Sequence, residues 1–283
     1  MPAIDKDPSS LRGLTPFKQS LTIRLTMNYL QHWSLTRSPF VPVTTHDSFY
    51  AGMPQREAMA RLDYMIRSAN RSAIMLSHRG CGVTTMLKRL ATTSGLSGVA
   101  VQSVMTSGGV TTRRAAFARL AVAMAIDPFG DRLSQHIEES VRALGRSQVK
   151  TLWLIDRCDA ATAGAAALLA SSTSSISVVM GTTLDDAATL QDALDYCPLR
   201  IDLDAFRLED TIGYVRHAVA AAGSRLPIFE DGAIVRLHEL TDGRVAMIAA
   251  MADLALLAAA NSGAKKVNAN FIEAVQSELV MAA

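Results

Sequence analysis

Strand-like and helix-like segments alternate along most of this 283-residue chain, and that alternation limits the possible folds more than any other feature. Short apolar runs lie at 73–76, 99–104, 151–155, 176–181 and 199–203. Stretches with helical periodicity lie between or after them at 86–93, 113–125, 131–144, 160–170 and 184–192. Apolar runs of this length, bounded by turn residues, suit strands buried on both faces. Parallel neighbours need a crossover, and a helix supplies one. The expected core is α/β, a five-stranded parallel sheet flanked by helices. Beyond residue 203 no further strand is expected. Four helical segments follow at 208–222, 230–240, 244–260 and 269–280, with Gly223, Gly243 and Gly263 as stops. The expected organisation is a flexible tail over 1–26, an α/β core over 27–205 and an all-α domain over 206–283.

The stretch SHRGCGVTT at 77–85 follows the first apolar run and opens the first helix. A phosphate-binding P-loop has the pattern G-x-x-x-x-G-K-[ST]. Its glycines turn backbone N–H groups toward phosphate, its Lys reaches the outer phosphates, and its hydroxyl ligates Mg²⁺. Here Ser77 stands at the first glycine position, while Gly80 and Gly82 remain. Val83 stands at the lysine position, followed by Thr84 and Thr85. Valine cannot neutralise a phosphate, so catalysis is expected to suffer more than binding. Arg79 can approach phosphate from another direction through its planar guanidinium, or it faces solvent together with His78. Cys81 reads as a passive small side chain of the loop. The phosphate-binding segment is therefore Arg79, Gly80, Cys81, Gly82, Val83, Thr84 and Thr85.

A second element agrees with the first. The run TLWLIDRCD at 151–159 ends its apolar stretch in Asp156, the position of a Walker B acid that holds Mg²⁺ through water. The water-polarising Glu expected next is Arg157. Asp159 is expected to cap the following helix. The metal-side groups Thr84 and Asp156 are thus kept, and the catalytic groups are lost.

With these residues in view, the chain resembles the AAA+ ATPases of the general secretion pathway protein A type. The leader YLQHWSLTRSPF at 29–40 and DSFYAGMPQREAMARLDYMI at 47–66 are similar to that family's opening signature. LRIDLDAFRLEDTIGYVRHAVAAAG at 199–223 and FEDGAIVRLHELTDG at 229–243 resemble its lid. The resemblance implies an AAA+ P-loop NTPase core with a C-terminal all-α lid, ATP and Mg²⁺ as cofactors, and oligomers. It implies Thr182 near the sensor-1 position and Arg200 as an arginine acting on a neighbour's nucleotide. It sets Ala246 where a sensor-2 arginine would stand, with Arg244 two residues early.

The expected function is a nucleotide-binding or pseudo-ATPase scaffold or regulatory subunit with weak or no ATP hydrolysis. Protein partners, an active paralogue or further copies of the chain would complete its assembly. The alternatives are a slow ATPase of a secretion-type assembly and a DNA-associated module of the transposition or replication-loading type.

Composition sets outer bounds. Apolar residues make up 49% of the chain, enough for a large core, and the formal net charge is only +2. Lys6, Arg12, Lys18 and Arg24 against Asp5 and Asp7 account for all of that excess, so no nucleic-acid partner is expected. Three cysteines, at 81, 158 and 197, give neither a disulfide framework nor zinc spacing. Cys158 and Cys197 are expected in or near the core, and Trp33 and Phe40 are expected to pack the leader onto it. His32 is expected to pack or cap. No transmembrane segment is expected, and the location expected is cytoplasmic.

Overall fold

A computed structural model describes residues 29–40 and 49–281 apart from 69, 97 and 195. The basic segment 1–26 and residues 41–48 of the leader motif lie outside the described residues. Contacts divide the chain into two units. One comprises 49–213 with Thr241–Met247, and the other 29–40 with Tyr214–Leu240 and 248–281.

The first unit is a three-layer α/β structure. Helix α1 (Met53–Arg67) precedes β1 (Ser72–Ser77), which leads through the loop at 78–82 into α2 (Val83–Ala91). There follow β2 (Gly95–Leu96), β3 (Val99–Ser107), α3 (Arg113–Ala123), α4 (Leu133–Arg146), β4 (Val149–Asp156), α5 (Ala160–Ser172), β5 (Ile176–Thr183), α6 (Ala187–Asp192) and β6 (Leu199–Asp202). The sheet order is β2-β3-β4-β5-β1-β6. All neighbours are parallel except β2 and β3. The sheet is therefore mixed and six-stranded, a correction to the five parallel strands expected. The added strand has two residues, too few for apolar periodicity to reveal, and it forms by hairpin pairing of Gly95 with Ala100 and Leu96 with Val99.

The central strands read as continuous apolar runs because both faces are covered. Ile74, Leu76, Trp153, Ile155, Val178 and Met180 pack against α3, α4, α5 and α6 on one face. Ala73, Met75, Leu152, Leu154 and Val179 pack against α1 and α2 on the other. The indole N–H of the fully buried Trp153 donates to Thr106 Oγ1 at 2.9 Å, which satisfies the one polar atom of the largest buried side chain.

The second unit is helical, drawn from α7 (Leu208–Ala221), α8 (Asp231–Thr241), α9 (Val245–Asn261) and α10 (Ala269–Met281). Residues 29–40 belong with it. The Trp33 indole donates to the Leu256 carbonyl at 3.0 Å, and the Phe40 ring lies 6.0 Å from those of Tyr214 and Phe229. Trp33 and Phe40 thus pack within the helical unit, a correction to the packing on the core expected for them. His32 is exposed, edge-on to Trp33, with Nε2 2.7 Å from the Ala264 carbonyl. Tyr29 and Ser38 both donate to the Asp253 carboxylate, at 3.1 and 2.9 Å.

Burial pushes the phenols of Tyr29 and Tyr214 up from 10.0 to about 12. Each is favoured as the neutral phenol in the folded state. Their contribution is fully present below pH 10 and is lost as the pH rises through 12. The denaturation midpoint is expected to fall over that interval, and to fall less in a Tyr29→Phe, Tyr214→Phe variant. A drop of equal size in both proteins would assign the effect to other groups.

Candidate functional site

The loop at 78–82 leaves β1 at Ser77 and turns twice through the left-handed region, at Gly80 (φ 89°) and Gly82 (φ 101°). Side chains with a Cβ rarely adopt these angles, so glycine suits both positions. Gly82 is the N-cap of α2 and offers no side chain to the first amides of that helix. Those donors, from Val83 onward, are left directed at the mouth of the loop.

Thr84 and Asp156, 72 residues apart, meet at this loop. The Thr84 hydroxyl donates to Asp156 Oδ1 at 2.8 Å. The carboxylate sits at the end of β4, which is separated from β1 by β5 alone, and the parallel order sets the ends of all three strands on one edge of the sheet. Val83 points elsewhere. A Cβ built on Gly181 would lie 2.6 Å from Val83 Cγ1 and 2.9 Å from Leu87 Cδ1, so the valine is seated against the bare backbone of β5. Gly181 is needed for that seating. Thr182 is buried, and strand alternation turns it to the face opposite Gly181. Thr183 shares the Gly181 face, and its hydroxyl donates to Asp186 at 2.7 Å.

The turn after Asp156 is held firmly. Arg157 has φ 50°, an uncommon angle for such a residue. Gly108 N–H donates to the Asp156 carbonyl and Cys158 N–H to the Gly181 carbonyl, both at 2.8 Å. A Cβ on Gly108 would come within 1.9 Å of the Arg157 carbonyl oxygen. Asp159 caps α5 through Thr162 N–H at 2.7 Å, as expected, and also accepts from Gly109 N–H at 2.5 Å and Val110 N–H at 3.0 Å. Burial opposes ionisation of Asp159, but the amides of Val110, Thr162 and Gly109 outweigh it and hold the carboxyl below its ordinary value. The Arg157 side chain is 81% exposed, with Nε 3.8 Å from Asp156 Oδ2.

A contact that sequence spacing missed joins the loop to residues 241–247. Ala246 N–H donates to the Gly80 carbonyl at 2.9 Å. A Cβ on Gly80 would lie 3.5 Å from Ala246 Cβ and 3.8 Å from Arg244 Cβ. Gly243 (φ 69°) makes this approach possible, since its carbonyl accepts from Phe206 N–H at 2.9 Å and any Cβ there would strike Phe206 backbone. Arg244 therefore brings a cation beside the loop, steadied by Asp242 at 3.1 Å. The signal in the sequence was Gly243, read only as a helix stop.

The other expected residues take these places. Cys81 is buried, and burial pushes its thiol up, with the Arg244 charge opposing, which fits a passive side chain. His78, Arg79 and Thr84 are exposed. Arg200 is exposed on β6, where its Nε donates to both Asp202 oxygens at 2.8 and 3.1 Å. Cys158 is buried, whereas Cys197 is exposed, a correction to the core position expected for it. A hydroxyl and a carboxylate are oxygen donors of the type Mg²⁺ prefers. The surrounding charge fits the ion poorly, because Arg157 stands at the second carboxylate oxygen. Among the described residues no group of three or more His, Cys, Asp and Glu is placed to hold a metal, and no helix is long and apolar enough to cross a membrane.

No family model matches the chain, and no curated relative matches it. Solved structures do. Drosophila ORC bound to DNA aligns at TM-score 0.60 and 16% identity, over 99% of this chain and 70% of that one. The Aeropyrum pernix ORC2 protein, in ADPNP–ADP complexes, aligns at 0.58 and 13%, over 86% and 71%. The chain has the fold of the AAA+ P-loop NTPases. The Thermotoga maritima RuvB Holliday junction branch migration motor shares that AAA+ fold, at TM-score 0.52 and 13% identity over 85% and 73%. At these identities the likeness is one of fold. The loop at 78–82 joins β1 to α2, and Asp156 is the last residue of β4.

Proposed function

We propose that the chain is a nucleotide-binding AAA+ protein with weak or no ATP hydrolysis, acting as a scaffold or regulatory subunit of an assembly. One observation carries this reading. The loop keeps its left-handed glycines and its Thr84–Asp156 pair, and Arg244 stands beside Gly80 where Val83 leaves the phosphates without a lysine. An arginine can hold phosphate in the ground state. The loop still lacks the lysine, and Arg157 replaces the glutamate that would polarise water, so transition-state stabilisation is weak. In this reading α7–α10 form a lid, and Arg200 is offered to a neighbouring subunit. The secretion-type setting rests on the leader motifs at 29–40 and 47–66.

Calorimetric titration with ATP, paired with a phosphate-release assay, tests the proposal. Saturable binding is expected, with phosphate release no faster than in a Thr84→Ala variant. Arg244→Ala is expected to weaken binding about tenfold, the loss of one partly screened charge-assisted contact. Rapid release abolished by Thr84→Ala would replace the proposal with an active ATPase. The absence of saturation at millimolar ATP would remove nucleotide from the function altogether.

A second reading, a DNA-associated module, is favoured by the similarity to an ORC structure bound to DNA over 99% of this chain. The neighbours therefore lend no support to the expectation that nucleic acid is not a partner. A salt-sensitive mobility shift of duplex DNA at low protein concentration would establish this reading.

A further inference from the structure

Two loops meet at Asp156, and the sense of their charges is unusual for a nucleotide site. A metal-dependent site needs its acid turned to the cation. Here both carboxylate oxygens have other company. Oδ1 accepts from Thr84, and Oδ2 faces the Arg157 guanidinium 3.8 Å away. The carboxylate is nearly buried, 8% exposed, and the guanidinium is open to solvent at 81%. A solvent-exposed cationic head thus stands beside a nearly buried anion.

Its backbone is fixed. Arg157 is a non-glycine residue held at φ 50°, an uncommon conformation that survives only where neighbours over-determine it. The neighbours do so here, through the Gly108 and Cys158 amides on either side of the residue and the Asp159 carboxylate that grips the facing loop. Gly108 must lack a Cβ for the Arg157 carbonyl to pass. The chain accepts strain to hold this arginine beside the acid, while the first helical turn of α2 presents only Val83, Thr84 and Thr85.

We propose that Arg157 takes the place of the divalent ion, so that the site binds a nucleoside triphosphate without metal. The guanidinium forks onto phosphate oxygens, and its charge replaces part of that of the ion above Asp156. Arg244 meets the loop from the side of Gly80. This rests on the nucleotide-binding reading given above and adds the charge that accompanies the nucleotide.

The test is calorimetric titration of the full chain with ATP in excess EDTA and again in excess Mg²⁺. Equal affinity in the two conditions is expected. Arg157→Asn, whose short side chain suits a left-handed backbone, is expected to lose roughly tenfold or more in EDTA. Arg157→Glu is expected to bind only with Mg²⁺, because two adjacent carboxylates repel phosphate until a cation joins them. Thermal melting of each variant confirms folding. Binding of the wild-type chain only with Mg²⁺ would overturn the inference and leave the nucleotide-binding reading intact. Undiminished binding of Arg157→Asn in EDTA would also overturn it. No binding in either condition would overturn both.

Discussion

Replacing Val83 by Lys and Arg157 by Glu together is expected to raise ATP turnover in Mg²⁺ by roughly 100-fold or more, since single groups that stabilise developing charge carry about that much rate. The two substitutions act on different parts of the reaction. The lysine restores a cation over the outer phosphates. The glutamate restores a base beside Asp156 and removes the guanidinium that competes for its Oδ2. The lysine stem has to leave the path of Val83, which is seated against Gly181, and turn its ammonium toward the loop. Phosphate release at saturating ATP is the measurement, with Thr84→Ala added as a background control. Turnover that stays at background in a variant that binds ATP would mean that the deficit lies elsewhere, in the Ala246 region or in the lack of a neighbouring subunit.

The largest effect on stability is expected from Trp153→Ala, about 3–5 kcal/mol. Trp153 is fully buried on β4, between α3, α4 and α5, and the two strands beside it leave no room for collapse. The substitution also strips Thr106 of its hydrogen-bond partner. Against a typical total of about 5–15 kcal/mol this is a large fraction. Urea denaturation followed by circular dichroism reads it as a fall in midpoint. Trp153→Phe is expected to lose less, chiefly the penalty of an unpaired Thr106 hydroxyl, about 1–3 kcal/mol. A loss below about 1 kcal/mol for the alanine variant would mean that the strand repacks and that burial at this position is not the main support of β4.

Much of the α/β unit was legible residue by residue. The apolar runs at 73–76 and 176–181 became β1 and β5, lengthened only at their ends. The stretch at 199–203 became β6 in spite of its polar Arg200 and Asp202. The loop at 77–85 was legible through its two glycines, because a positive φ is a local demand that composition reports directly. Asp159 as an N-cap was legible for the same reason, as a side chain bonding its own following turn. Strand β2 was not legible, since two residues show no period. The place of residues 29–40 was not legible either, because Trp33 and Phe40 find partners more than 170 residues away.

The sequence by itself determined the alternation of strands and helices, the glycine turn at 80–82 with Val83 after it, and the acid at the end of the third long apolar run. These follow from periodicity, backbone sterics and residue charge, which act within a few positions. The tertiary structure alone decided that Thr84 bonds Asp156, that Val83 is seated against Gly181, that Arg244 stands beside Gly80, and that Arg157 is held over the acid in a strained turn. Parallel crossovers and the backbone contact of Gly243 with Phe206 create those meetings, and contacts across such sequence distances depend on how whole elements pack, which no local pattern encodes.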